Sequence, residues 1–247
     1  MELRSVAALI EASRKMPIWE AILCSDLEED TPEQRAASLE KMRMLWQVMQ
    51  DSAAGYDGSQ RSLSGLSGGD GEKYTQMMSS GKMMCGTYLN DAIATALKVS
   101  ECNACMKRIV AAPTAGSCGV IPAVLIPYRK EYPDTPEEEM LHALYVTGGF
   151  GNIIAERASV SGAEAGCQAE IGAASAMAAA ALVYLRGGSP EACGNACAMA
   201  LKNLLGLVCD PVAGLVEVPC VKRNVVGVVN AISCANMALA GIVSRIP

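Results

Sequence analysis

From Gly172 to Ala181 the chain reads Gly-Ala-Ala-Ser-Ala-Met-Ala-Ala-Ala-Ala, small on every face of a helix except at Met177. Alanine is the best helix former, and a helix without side-chain bulk lets neighbouring backbones close on it from every side. The run therefore predicts a central helix, from about Ala169 to Leu185, ended at Gly187-Gly188. Composition points the same way: aromatic residues make up 4% of the chain and hydrophobic residues 51%. A core built from Ala, Val, Leu, Ile, Met and Cys suits close-packed helices better than a β-sandwich. The expected fold is all-α, a single compact helical domain with a buried small-residue central helix and Gly/Pro-rich loops. With 247 residues and no low-complexity linker, one domain suffices, with residues 1–54 forming a helical N-terminal part.

Three helix starts carry one signature: Thr31-Pro32-Glu33, Thr135-Pro136-Glu137 and Ser189-Pro190-Glu191. Each is an N-cap hydroxyl, a proline at the first helical position and an acid at the positive end of the dipole. Gln34 and Glu138 add capping-box partners. The first helix is expected to reach Ala54, with Leu39, Met42, Leu45, Trp46 and Met49 on its apolar side. One or two helices precede it, the first over Met1 to Ala12. Others are expected at 90–109, over a short stretch ending near Arg129, and at 136–157.

Two segments between helices are rich in glycine. Gly55 to Gly71 is longer than a simple connection requires, and the N–H groups of Ser67, Gly68 and Gly69 could form a nest for a carboxylate or phosphate. Ala111 to Pro122, with Thr114 and Ser117, is a second stretch suited to backbone contact with a ligand.

Cys167 stands in Gly-Cys-Gln-Ala-Glu-Ile-Gly, and Cys209 and Cys220 bound the segment Cys-Asp-Pro-Val-Ala-Gly-Leu-Val-Glu-Val-Pro-Cys. Thiolates are the soft ligands that iron–sulfur clusters and zinc select, and two prolines stiffen the loop. Spacing alone leaves zinc and iron–sulfur both open. Cys102/Cys105 and Cys193/Cys197 are alternative pairs, each without a matching second pair. Free cysteine is otherwise a core filler. Glu170, Asp210 and Glu217 lie close in sequence to the thiols and need balancing charge, which Lys222 and Arg223 can supply. His142, the only histidine, falls in an amphipathic helix and is expected to be structural, leaving the chain without the usual general base.

These motifs, with Lys222-Arg223-Asn224, Ala112-Pro113-Thr114-Ala115-Gly116-Ser117 and Gly65-Leu66-Ser67-Gly68-Gly69, resemble the alpha subunit of the iron-sulfur-dependent L-serine dehydratases over nearly the whole chain. The resemblance implies a 4Fe-4S cluster held by Cys167, Cys209 and Cys220, with one iron left free to act as a Lewis acid in the β-elimination of water from L-serine. It implies pyruvate and ammonia as products, a beta subunit as partner, and a cluster-binding core over residues 55–247. Ser67, Gly68, Gly69, Thr114 and Ser117 are the expected substrate-binding residues. L-cysteine desulfidation is the nearest rival reaction; a non-catalytic iron–sulfur or zinc protein and a pyridoxal-phosphate dehydratase are further alternatives. Members of that family continue for some tens of residues beyond the position of Pro247, so any role of such a tail is outside this sequence.

A formal net charge of −6 with no basic concentration argues against nucleic acid. An odd number of cysteines, 11, and no signal peptide at the start favour a reducing, cytoplasmic setting over a disulfide framework. Asn224 to Ser244 is uncharged over a near-membrane length, but Asn230, Ser233 and Asn236 mark one polar edge of a helix buried in protein. No membrane span is expected. Nine charged residues in the last 81 imply that this third is enclosed by the rest of the chain or by a partner.

Overall fold

The structure, a computed structural model, describes residues 3–246. Met1 and Glu2, which fall in the first expected helix, and Pro247 lie outside them. Eleven α-helices follow in order among the described residues, with no strand: α1 Val6–Ala12, α2 Ile18–Asp26, α3 Pro32–Ala54, α4 Asp70–Met78, α5 Thr87–Ala104, α6 Val120–Glu131, α7 Glu137–Arg157, α8 Gly162–Ala165, α9 Ala173–Leu185, α10 Pro190–Asn203 and α11 Cys220–Leu239.

Helix α9 is the centre. Every residue from Ala173 to Val183 is buried, and α6, α7, α10 and α11 pack around it. Small residues make this possible on both sides of the contact. A Cβ on Gly151 of α7 would come within 2.9 Å of the Met177 side chain, and one on Gly227 of α11 would crowd Ile171 and Val120 at 3.0 and 3.1 Å. The one polar group inside, Ser175, donates to Gly227 O (2.8 Å) and accepts from Asn230 Nδ2 (2.9 Å), so the alanine core leaves it satisfied. A Schellman motif ends α9: Gly187 has φ 72°, its N–H bonds to Tyr184 O, and that of Gly188 bonds to Val183 O. Gln168 to Leu185 is long and apolar enough to cross a membrane, yet 78% of it is buried inside the protein. Helices α1 to α3 cover one side, α2 on α7 and α3 across α5, α6 and α7.

The caps follow the sequence signature in two of three places. Thr31 accepts from Gln34 N (3.2 Å) and Ser189 from Ala192 N (3.2 Å). At the third, Thr135 makes no cap: its N–H turns back to Tyr132 O, Pro136 takes the cap position and α7 starts at Glu137. Nor does Gln34 close a capping box, because the N–H of Thr31 is already bonded to Glu29 O and Gln34 bonds Glu29 N instead. On α3, Trp46 and Met49 are buried as expected, but Leu45 is 43% exposed and Val48 takes its place in the core.

Helix α5 stops at Ala104, five residues before the expected end at 109. Met106, a non-glycine residue at φ 60°, occupies the left-handed position of a Schellman motif, with Met106 N to Asn103 O and Lys107 N to Cys102 O. No glycine announces this end. Within the chain itself α9 is enclosed, while the segment after α10 and the outer face of α11 are left uncovered. Val208, Val212, Val216, Val226 and Val229 are all exposed. Ser233 and Asn236 face outward with them, so the polar edge of that helix is a surface, with Asn230 alone turned inward to Ser175 and Ala200 O.

Candidate active site

One end of the bundle gathers the cysteine motifs and both glycine-rich loops. A π-helical turn, Gln168–Gly172, precedes α9. Such turns insert a residue into a helix and occur often at functional sites. The turn is anchored at its start by Gly166, whose φ is 79° and whose Cβ, were there one, would lie 2.7 Å from Leu207 O. Gln168 N donates to that same carbonyl (3.0 Å). The chain entering the cysteine loop is thus tied to the turn that carries Cys167.

Arg223, on the first turns of α11, joins the two. Its Nη1 donates to Cys167 Sγ (3.3 Å) and Val208 O (3.1 Å) and pairs with the Asp210 carboxylate. Cys167 and Cys220 are buried and Cys209 is exposed. Burial pushes the Cys167 thiol up, Arg223 offsets part of this, and Cys209 and Glu170 add to the rise. Burial, then Cys167 and Glu170, push Cys220 up to about 11. The three thiols therefore share one electrostatic neighbourhood, with one guanidinium aimed at it.

Among the described residues, no three His, Cys, Asp or Glu side chains converge as a single bound ion requires, so the thiols do not meet at one point. A cluster asks for something different. It offers a separate iron to each thiolate, so its ligands stand apart around it. Three soft donors at one end of the bundle, one of them already taking a charge-assisted N–H, fit a cluster in chemistry and number better than a lone zinc, which wants four donors at one centre.

An anion nest does form here, but from the N–H groups of Gly68, Asp70 and Gly71 rather than of Ser67, Gly68 and Gly69, and the anion is part of the chain. Glu101, 1% exposed in the last turn of α5, accepts from Gly68 N (3.2 Å) and Asp70 N (2.9 Å) through Oε1, and from Gly71 N (3.1 Å) and Tyr56 OH (2.6 Å) through Oε2. Ser67 N bonds to Ser62 Oγ (3.2 Å). These donors are already committed within the fold. Next to them Glu217 of the cysteine loop accepts from Ser62 Oγ (2.6 Å) and Ser64 Oγ (2.8 Å). Burial pushes the Glu217 carboxyl up, but the hydroxyls of Ser62, Ser64 and Ser67 together outweigh it and hold it below its ordinary value. Lys222 Nζ of α11 pairs with Asp70 at the start of α4 (2.8 Å), a second clasp just beyond the same two loops.

The Thr114–Ser117 loop lies on the other flank. A short 3₁₀ turn, Ala115–Ser117, is closed by reciprocal bonds between Thr114 and Ser117, and Ser117 is fully buried. Asn224 of α11 braces the loop: its Nδ2 donates to Gly116 O (2.7 Å) and Cys220 O (3.0 Å), and its Oδ1 accepts from Gly119 N (3.0 Å). Thr114 Oγ1 donates to Glu170 Oε1.

The remaining sequence candidates are elsewhere. Cys102 donates to Ser52 O (3.4 Å). Cys193 and Cys197 are buried in the core and pushed by burial up to about 12. His142 stacks on Trp19 with ring centroids 3.7 Å apart and meets Glu139 through Nδ1 (3.3 Å). One residue central to this end, Glu101, was not singled out from sequence, and Asn224 was named only as part of a motif, with no role. The signal for Glu101 was present: an acid flanked by Val99, Ser100 and Cys102 on a helix whose periodicity buries that face.

The family model described as serine dehydratase alpha chain matches residues 13–247. A probable L-serine dehydratase alpha chain of Bacillus subtilis (strain 168) is 46% identical over 246 residues, 99% of this chain and 81% of that protein. The L-serine dehydratase alpha chain of Peptoniphilus asaccharolyticus is 48% identical over 168 residues, 68% of this chain and 57% of that one. L-serine dehydratase 2 of Escherichia coli (strain K12) is 47% identical over 144 residues, which is 58% of this chain but 32% of a much longer protein. A match spanning both glycine-rich loops, the π-helical turn and the cysteine loop goes well beyond a shared helical scaffold, and the chain belongs to the serine dehydratase alpha chain family.

Proposed function

We propose that this chain is the alpha chain of a cytoplasmic L-serine dehydratase that eliminates water from L-serine to give pyruvate and ammonia, and that Cys167, Cys209 and Cys220 hold a 4Fe-4S cluster. The observation that carries the reading is the convergence of the motif loops on the end that bears Cys167, Cys220 and Arg223. Residues 55–247 would be the cluster-binding core and residues 1–54 its helical support. When bound, the cluster supplies a Lewis-acidic iron that makes the serine hydroxyl a better leaving group.

The chain's own residues prepare charge and shape. Arg223 offsets the negative charge gathered at Cys167 and holds Asp210. Glu217 fastens the cysteine loop to the serine-rich loop and Lys222 ties α11 to the start of α4, which fixes the position of Cys220 at the start of α11. Asn224 fixes the Thr114–Ser117 loop against Cys220. The elimination also needs a base for the α-proton. His142 is committed to its stack on Trp19, so we assign the base to a beta chain, whose seat would be the exposed apolar residues of the cysteine loop and α11. The test is anaerobic co-purification with a beta chain, followed by iron and sulfide analysis and assay of serine-dependent pyruvate release. A complex with no iron, or one with iron and no pyruvate, overturns the proposal.

A further inference from the structure

Five carboxylates lie at the loop end, and four are fully engaged. Asp210 has Arg223, Asp70 has Lys73 and Lys222, Glu101 has three N–H groups and a phenol, and Glu217 has serine hydroxyls. Glu170 has a single hydrogen-bond partner, the Thr114 hydroxyl, and no cation pairs with it among the described residues. It is also reachable, half-buried where Glu101 and Glu217 are buried.

Its setting is specific. The π-helical turn puts Glu170 three residues after Cys167, and the carboxylate adds to the repulsion felt by both Cys167 and Cys220. Glycines flank it on two sides. A Cβ on Gly162 would lie 2.9 Å from Oε2, and one on Gly116 would collide with the carboxylate outright. An anion held in a glycine-walled slot near Cys167 and Cys220, with no cation paired to it, raises the energy of the site unless a cation enters with the ligand.

We infer that Glu170 binds the α-ammonium group of the amino-acid substrate, with Thr114 orienting the carboxylate. The inference rests on the reading of the chain as an L-serine dehydratase, because serine brings the compact three-donor cation that the slot lacks. It also gives the Thr114–Ser117 loop a defined role, in which the Thr114 hydroxyl aims the acceptor and Gly116 leaves room for it.

The test compares wild type, Glu170→Gln and Glu170→Asp in the anaerobically purified complex, with iron content and thermal unfolding as controls. Binding is read for two ligands, L-serine by KM and 3-hydroxypropanoate, which is serine without its amino group, by competitive inhibition. Glu170→Gln should keep its iron, raise KM for serine about 10- to 100-fold, the value of one charge-assisted hydrogen bond, and leave inhibition by 3-hydroxypropanoate unchanged. Glu170→Asp, which keeps the charge at shorter reach, should fall between. A loss in kcat at unchanged KM would make Glu170 a base and overturn the inference. Equal weakening of both ligands, or loss of iron, would make it structural and overturn it too. A wild-type complex inactive on serine sinks the proposed function itself, whereas an active wild type with an unaltered Glu170→Gln sinks only this inference.

Discussion

The two glycine-rich loops look alike in sequence and differ in what they hold. Ser67-Gly68-Gly69 wraps Glu101, and every oxygen of that buried carboxylate meets donors from the chain itself. Thr114 to Ser117 meets Glu170 through one hydroxyl and leaves the rest of the carboxylate bare. The first is a finished internal clasp between α5 and the start of α4. The second is incomplete in the way a ligand site is incomplete. Glycine in a motif therefore reports close approach of backbone to an anion, and only the location of that anion tells structure from recognition.

The strongest way to break this contrast is to remove the thiols whose proposed cluster would make the second loop an active-site wall. Alanine at Cys167, Cys209 or Cys220 should abolish both bound iron and serine-dependent pyruvate, with the fold retained by circular dichroism. Alanine at Cys193 or Cys197, buried in the core, should keep the full iron content and cost only packing, on the order of 1–2 kcal/mol in denaturant unfolding. Iron retained in the Cys220 variant, or lost in the Cys193 variant, would move the site away from the Thr114–Ser117 loop and remove the basis for calling that loop open.

Next in size is Glu101→Ala, which strips the finished loop of its anion. Three backbone N–H groups and the Tyr56 hydroxyl would lose their acceptor, a cost of roughly 3 kcal/mol or more for a buried charged acceptor with several donors. Urea unfolding should show it as a lower midpoint. A variant as stable as wild type would mean that water replaces the carboxylate without loss, and that this loop is as open as the other.

Much of this was written in the chain. The alanine run required a central helix, and α9 is buried from Ala173 to Val183 because nothing on it is large enough to hold neighbours away. The cysteine motifs were legible because thiols at Gly and Pro turns have few uses. What escaped was long-range pairing. Nothing local says that Glu101 on α5 will reach the loop at Gly68, 33 positions earlier, or that Asn224 will bridge Gly116 and Cys220. Likewise α5 ends where Met106 adopts a left-handed conformation, a choice set by the tertiary path. The failed cap at Thr135 has the same origin, a turn that spends its N–H on Tyr132.

A pair of glycine substitutions sharpens the contrast with smaller effects. Gly68 has φ 121°, and any Cβ there would strike Gln60 O. Gly68→Ala should therefore cost stability, about 1–3 kcal/mol. Gly116→Ala would press on the Glu170 carboxylate instead, and should raise KM for serine with a smaller loss of stability and iron unchanged. The outcome that breaks the comparison is the reverse pattern, in which Gly68→Ala alters KM at constant unfolding midpoint.

The smallest effect is a difference in thiol chemistry, and it separates core from site without any substitution. Burial pushes Cys118, Cys193 and Cys197 up to about 12 from 9.0, so at pH 8 they stay protonated as well as enclosed, and the thiolate is the reactive form. Cys85 and Cys209 are exposed. Iodoacetamide at pH 8, read by peptide mass spectrometry, should label Cys85 in the native complex and leave Cys118, Cys193 and Cys197 unlabelled. Cys209 should become labelled only after iron is chelated away. The same shifts have a stability consequence with a definite sign. Below pH 9 these thiols are protonated in both folded and unfolded chains and contribute no pH slope; between about 9 and about 12 the unfolded chain releases their protons while the folded chain retains them, so stability falls as pH rises through that window. Unfolding midpoints flat from pH 8 to pH 11, or labelling of Cys193 at pH 8 in native protein, would show that the core around α9 opens readily and is no more closed than the loop end.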